Sequence, residues 1–169
     1  VNMLGTRNEV QVAGVVSLNG VTTRFDPRKN GGQTLNSERT KCLIGCFDEI
    51  YPGTRCWQNA KDASPVYQVS ANDPPFLLFA GMEDDIVDPI MSEELHNRLV
   101  IAGVDSTLVK VPDQGHTQEA LIRCGQTKGT SNLDHFKNWV KAKVSPPYGA
   151  VGRVIPFEGD ETGGIKECE

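Results

Sequence analysis

Residues 79–89 read Phe-Ala-Gly-Met-Glu-Asp-Asp-Ile-Val-Asp-Pro, an apolar stretch that breaks into acids at Glu83, Asp84, Asp85 and Asp88. A second polar loop, Pro-Asp-Gln-Gly-His-Thr, covers 112–117 and carries His116. An acidic turn by itself is ordinary solvated surface. An acid held against a histidine is different: a carboxylate bonded to one ring nitrogen fixes the tautomer, and the other nitrogen can then take a proton from a nucleophile. The question is whether the chain folds so that the acid run and His116 meet.

The elements around these loops say that they do. Pro-Pro-Phe-Leu-Leu-Phe-Ala-Gly, 74–81, is a bounded apolar run that reads as a buried strand. Residues 89–103 open on Pro89 and close on Gly103, with Met91, Leu95, Leu99 and Ala102 at helical spacing, and Ser-Thr-Leu-Val-Lys-Val, 106–111, is a strand again. Strand, helix and strand in so short a stretch predict a right-handed crossover with parallel strands. Reactive residues of open parallel sheets gather outside the carboxyl ends of the strands. The acid run and His116 follow two such ends, so they are expected side by side at one rim.

Upstream, Val-Gln-Val-Ala-Gly-Val-Val-Ser, 10–17, is a Val-rich buried strand stopped by Leu-Asn-Gly. Residues 22–62 then lose strand character: a helix is expected over 37–46, capped by Asn36 or Ser37, and a second helical piece over roughly 53–60. So long an excursion between strands is often functional. Downstream, the pattern allows a short helix over 117–124 and predicts a helix over 132–143 capped by Ser131 or Asn132, with Leu133, Phe136 and Val140 on one face. The stretch 145–169, rich in Pro, Gly and acids, reads as an extended tail.

Composition narrows the class. The 169 residues are 38% hydrophobic, enough for one domain, and no repeat or low-complexity segment occurs. A net charge of -5 with 17 scattered basic residues leaves no footprint for a phosphate backbone or an anionic membrane, so nucleic acid is not expected as a partner. The sequence has no apolar run of 18 residues for a membrane span and no basic-then-apolar leader at its start. Cys42, Cys46, Cys56, Cys124 and Cys168 lack metal-site pairing, so no metal is expected; their odd number leaves at least one thiol free or bridging to another chain.

Residues 63–117 resemble the C-terminal part of an α/β-hydrolase of the esterase/lipase and prolyl-oligopeptidase-like group. The likeness rests on Ser64-Pro65, the Pro74-Pro75-Phe-Leu strand, the Gly81-Met-Glu-Asp-Asp-Ile-Val acid loop, the helix ending in Ala102-Gly103, and the strand leading to Gly115-His116. It extends more weakly upstream, where Gly14–Thr23 is similar to the strand and loop after the nucleophile helix and Cys42–Gly45 to a Leu-rich stretch of the cap, and it covers about two thirds of the chain. The resemblance implies an α/β fold, the C-terminal part of an α/β-hydrolase, with parallel strands, crossover helices and a cap-like insertion. Residues 1–144 would be the hydrolase portion, 22–62 the cap-like insertion and 145–169 the tail. Gly81 matches the Gly of the acid loop, Asp84 its triad acid, Val87 its Val, and His116 the triad base. Met82 and Asp88 depart from the motif's first Asp and its Pro, and a slip of one position would make Asp85 the acid.

The function implied is a carboxylic ester hydrolase working on small-molecule esters through a Ser-His-Asp mechanism without a cofactor. The family nucleophile sits in a Gly-x-Ser-x-Gly elbow, and no such motif occurs in the 169 residues. The chain therefore reads as a C-terminal half, as a fragment, processed subunit or truncated product, with the nucleophile in a missing N-terminal part and little activity alone. Rival readings are a non-catalytic interaction or assembly remnant and a serine peptidase of the prolyl-oligopeptidase type. Strand 10–17 would lie beside the absent elbow strand, so association with the missing half or with a second copy is expected.

Other candidates have plainer readings. Ser17 is a strand-end serine on the same rim; Ser92 and Ser106 are helix-start and turn residues. Cys46 and Cys56 would be nucleophiles only if the cap folds over His116, buried structural thiols being commoner. His96 and His135, on helices among charged neighbours, read as solvent-facing. Phe47, Tyr51 and Trp57 either line an acyl or aromatic pocket or pack the cap on the body, and Phe136 and Trp139 read as core.

Overall fold

The computed structural model of the chain describes residues 12–23, 38–48, 50–117, 126–127 and 130–144. At its centre is β2 (Phe76–Gly81), whose six residues carry no charge and can be buried on both faces. It pairs in parallel with β1 (Val15–Leu18) on one side and β3 (Ser106–Val111) on the other, in the order β1-β2-β3. The registers set Ser17 opposite Leu78 and Gly81 opposite Val111, so β2 and β3 end at the same level.

Alternation along β2 divides the core into two layers. Leu78 points to one face and packs with Val66, Leu95, Leu99 and Val104, under helix α3 (Ile90–Ile101). Leu77 and Phe79 point to the other, with Val109 and Val111, against Phe136 and Trp139 of helix α4 (Asn132–Val144). Phe136 and Trp139, read from the sequence as core, are partly buried and pack against this cluster.

α3 matches the expected helix closely, and its end shows why. The N–H of Val104 donates to Leu99 O (2.9 Å) and that of Gly103 to Val100 O (3.0 Å), with Gly103 at φ +80°. This is the glycine-terminated Schellman closure, and Val104 packs back on Leu99 as that motif favours. Just before α4, Ser131 Oγ accepts from the N–H of Asp134 at 3.1 Å.

Several boundaries shift. The strand expected over 10–17 is a strand only from Val15 to Leu18 within the described residues. Its first bond runs from Val15 N–H to Pro75 O (2.8 Å), because the partner strand begins only after two prolines, which have no N–H to contribute. It stops at Asn19, whose φ of +48° turns the chain out of the sheet. The sequence reading also has no counterpart for a short antiparallel pair, β4 (Gln126–Thr127) and β5 (Thr130–Ser131), whose two-residue strands are too brief to show a period. The helix allowed over 117–124 and the tail 145–169 lie outside the described residues, apart from Thr117, which is not helical.

The described part of the excursion carries two helices, α1 (Glu38–Ile44) and α2 (Arg55–Asp62), joined by a non-helical connection. Thr54 caps α2 by accepting from Trp57 N–H at 3.1 Å. α1 closes at Gly45 (φ +65°) through Cys46 N–H to Lys41 O, 2.9 Å, which turns Cys46 toward α2. Cys46 and Cys56 form a disulfide across the pair. The expectation of buried thiols, with Cys46 or Cys56 as a possible nucleophile, is corrected by that bond: neither sulfur is free to attack. Cys42 is free and exposed, and Cys124 and Cys168 lie outside the described residues.

Candidate active site

The rim above β2 and β3 is made by two loops that are stitched together through their backbones. Met82 N–H donates to Val111 O (2.9 Å) and Glu83 N–H to Gln114 O (3.0 Å), so the acid loop is tied to the end of β3 and to the histidine loop. Gly81 permits the approach: a Cβ there would stand 2.5 Å from Gln114 O and 2.8 Å from Gly115 O. Asp113 reverses the second loop at φ +56°, a conformation that Asp tolerates better than most residues.

Within this frame Asp84 turns inward. Its Oδ1 accepts from the N–H groups of Ile86 (2.9 Å) and Val87 (2.8 Å), and its Oδ2 lies 2.8 Å from His116 Nδ1. The Asp84 side chain is 1% exposed and that of His116 30%. A sealed carboxylate needs a donor on each oxygen. With Nδ1 as the donor to Asp84, Nε2 is the ring nitrogen that faces away from the carboxylate and can accept a proton. Asp85 is exposed, as is Glu83. Asp88 is half-buried, and its Oδ1 accepts from Ile90 N–H at 3.0 Å just before α3.

The other named residues fall elsewhere. Ser17 is the third residue of β1 with its Oγ against Gly20, where a Cβ would approach it to 2.4 Å, and no hydrogen bond joins it to His116. Ser92 is buried in the first turn of α3 and Ser106 begins β3. His96 and His135 are half-buried rather than solvent-facing; His96 Nδ1 sits 2.9 Å from Ser106 Oγ, because β3 runs under α3 at that point. Trp57 packs against the core between α1 and α2, whereas Phe47 and Tyr51 are exposed. Among the described residues there is no group of three or more His, Cys, Asp or Glu fit to hold a metal, and no helix long and apolar enough to cross a membrane.

Sequence reasoning missed Asn19. It was legible only as the residue that stops a strand, yet its buried side chain bonds both loops: Oδ1 accepts from Gly81 N–H at 2.9 Å and Nδ2 donates to Gly115 O at 3.4 Å. The one available signal was the Asn-Gly pair at 19–20, since Asn is the non-glycine residue most at home at positive φ.

A central parallel sheet, helices on both faces, and an acid and a histidine at adjoining carboxyl ends define the α/β-hydrolase fold class. Residues 2–99 match the family model described as BD-FAE; that is more than half of the chain, which belongs to the BD-FAE family. The matched stretch includes Asp84 and ends before His116. Similar solved structures include a truncated carbohydrate esterase from gut microbiota, 24% identical with a TM-score of 0.58, covering 79% of this chain and 43% of that one. The acetyl ester-xyloside bifunctional hydrolase of Caldicellulosiruptor lactoaceticus is 18% identical with a TM-score of 0.58, covering 77% and 42%. A propionate-bound thermophilic esterase of the planctomycete Thermogutta terrifontis is 18% identical with a TM-score of 0.53, covering 82% and 47%. No curated protein matches the chain. The chain spans less than half the length of each of these three structures.

Proposed function

We propose that these residues form the acid–base half of a serine-type carboxylic ester hydrolase, with Asp84 as the acid and His116 as the base. The observation that carries this reading is the 2.8 Å bond from a sealed Asp84 to a partly exposed His116 at adjoining strand ends. In such a site His116 Nε2 takes the proton of a serine hydroxyl as it attacks the ester carbonyl, and returns it to the departing alcohol. Asp84 holds the ring in the productive tautomer and stabilises the imidazolium that forms. The serine and the oxyanion donors, each worth about 3 kcal/mol of transition-state stabilisation, come from a part of the hydrolase outside these 169 residues. The excursion over 22–62 serves as the cap and the partner is a small-molecule ester; the esterase names of the similar structures support that substrate class.

Fluorophosphonate labelling with adduct mapping tests the reading. The isolated chain is expected to take up no probe. A chain joining these residues to a segment that carries a Gly-x-Ser-x-Gly elbow is expected to label there, to hydrolyse short p-nitrophenyl esters, and to lose about 10³-fold or more in kcat with His116→Ala. Stoichiometric, His116-dependent labelling of a serine inside the 169 residues, Ser17 first, would overturn the division of the triad. The absence of an elbow favours one second reading, a non-catalytic assembly remnant. A joined chain that is inactive, or whose activity does not depend on His116, is the outcome that reading requires.

A further inference from the structure

Asn19 is not used by the acid–base reading, yet three segments converge on it. Its backbone N–H donates to Phe79 O at 3.0 Å, continuing the β1–β2 ladder by one bond. In a parallel ladder the next bond would run from Gly81 N–H to the carbonyl of Asn19. Because Asn19 sits at φ +48°, the chain has turned away, and the side-chain Oδ1 takes the place of that carbonyl, accepting from Gly81 N–H at 2.9 Å. The same amide donates through Nδ2 to Gly115 O at 3.4 Å. Gly115 O also accepts from Thr117 N–H at 2.9 Å, a three-residue turn with His116 at its middle. At 5% exposure, Asn19 is a buried amide whose oxygen holds the start of the acid loop and whose nitrogen holds the turn that presents His116.

We infer that Asn19 is a positioning residue that sets the His116 turn against the Asp84 loop, so that the Asp84–His116 bond depends on it. This rests on the reading of Asp84 and His116 as a working pair. Two substitutions separate its two contacts. Asn19→Asp keeps an acceptor for Gly81 N–H but turns an oxygen toward Gly115 O. Asn19→Gly removes both contacts while still accepting positive φ.

The test is NMR of the isolated chain. The histidine-ring spectrum reports whether His116 holds its proton on Nδ1 with a downfield Hδ1 resonance, and Gly81 amide exchange reports the Oδ1 contact. The wild type is expected to show the Nδ1–H signature, and Asp84→Ala to abolish it. Asn19→Asp is expected to lose or broaden the signature with Gly81 exchange unchanged. Asn19→Gly is expected to lose it and to speed Gly81 exchange about tenfold or more. A purely structural Asn19 would lower the melting temperature of both variants and leave the His116 signature intact, and that result overturns the inference while sparing the pair. A wild-type spectrum without the signature overturns the pair and the inference together.

Discussion

At the residue scale, one carboxylate is chosen from a run of acids by what surrounds it. Asp84 has donors on both oxygens, two of them backbone N–H groups from its own turn, so the loop is shaped to hold a charge that solvent cannot reach. Asp84→Asn puts an amide where every neighbour is a donor, and unfolding stability is expected to fall by about 1–3 kcal/mol. Asp85→Asn, at an exposed position, should stay within about 0.5 kcal/mol of the wild type in the same urea melts. Equal losses would mean that the inward carboxylate is not Asp84. Gly81→Ala tests the stitching of the two loops. With backbone carbonyls 2.5 Å and 2.8 Å from the new Cβ, relief requires the His116 loop to move, at about 1–3 kcal/mol. Chemical shifts of 112–117 should change with it. Neither the Asp84 register nor the need for Gly81 could be settled along the chain, because both depend on the approach of a loop some thirty residues away.

At the element scale, the helices of the excursion form a satellite. Ile44, Cys46, Ile50, Cys56 and Ala60 make a buried cluster of their own, with Trp57 and Ala63 against it. Two of these five residues are the bonded cysteines, so a small apolar core leans on a covalent tie. With a sequence separation of 10, the tie is worth about 2–3 kcal/mol to this unit. Reduction, or the Cys46→Ser/Cys56→Ser pair, is expected to raise amide exchange over 38–62 while β2 and β3 stay protected. Exchange rising together in all three elements would show instead that the excursion and the sheet open as one unit. The two helices were legible from capping residues and spacing, whereas the disulfide was not. Its pairing depends on the Gly45 turn, which carries Cys46 out of α1 and toward α2.

At the scale of the whole molecule, the sheet has a filled centre and a thin side. β2 is covered on both faces and paired on both edges, but among the described residues β1 has four residues and one neighbour. An unpaired parallel edge beside apolar side chains invites another strand. Sedimentation velocity is expected to show concentration-dependent association of the isolated chain, relieved when a partner segment supplies a strand beside β1. A single monomeric species at high concentration would count against the proposed hydrolase half as a partner and against a second copy alike.

The sequence alone determined the kinds and order of the elements from residue 74 to 111, since helix, strand and stop signals act over a few residues and each agreed with the next. It also placed an acid run and a histidine at neighbouring strand ends, because parallel crossovers leave little choice of topology. Only the tertiary structure decided which acid meets His116, which cysteines join, and that Asn19 ties both loops. Those contacts link positions 32, 10, 62 and 96 residues apart. No local period reaches across such gaps; they are set by how layers pack on β2 and by where the chain can turn at Asn19, Gly45 and Gly81.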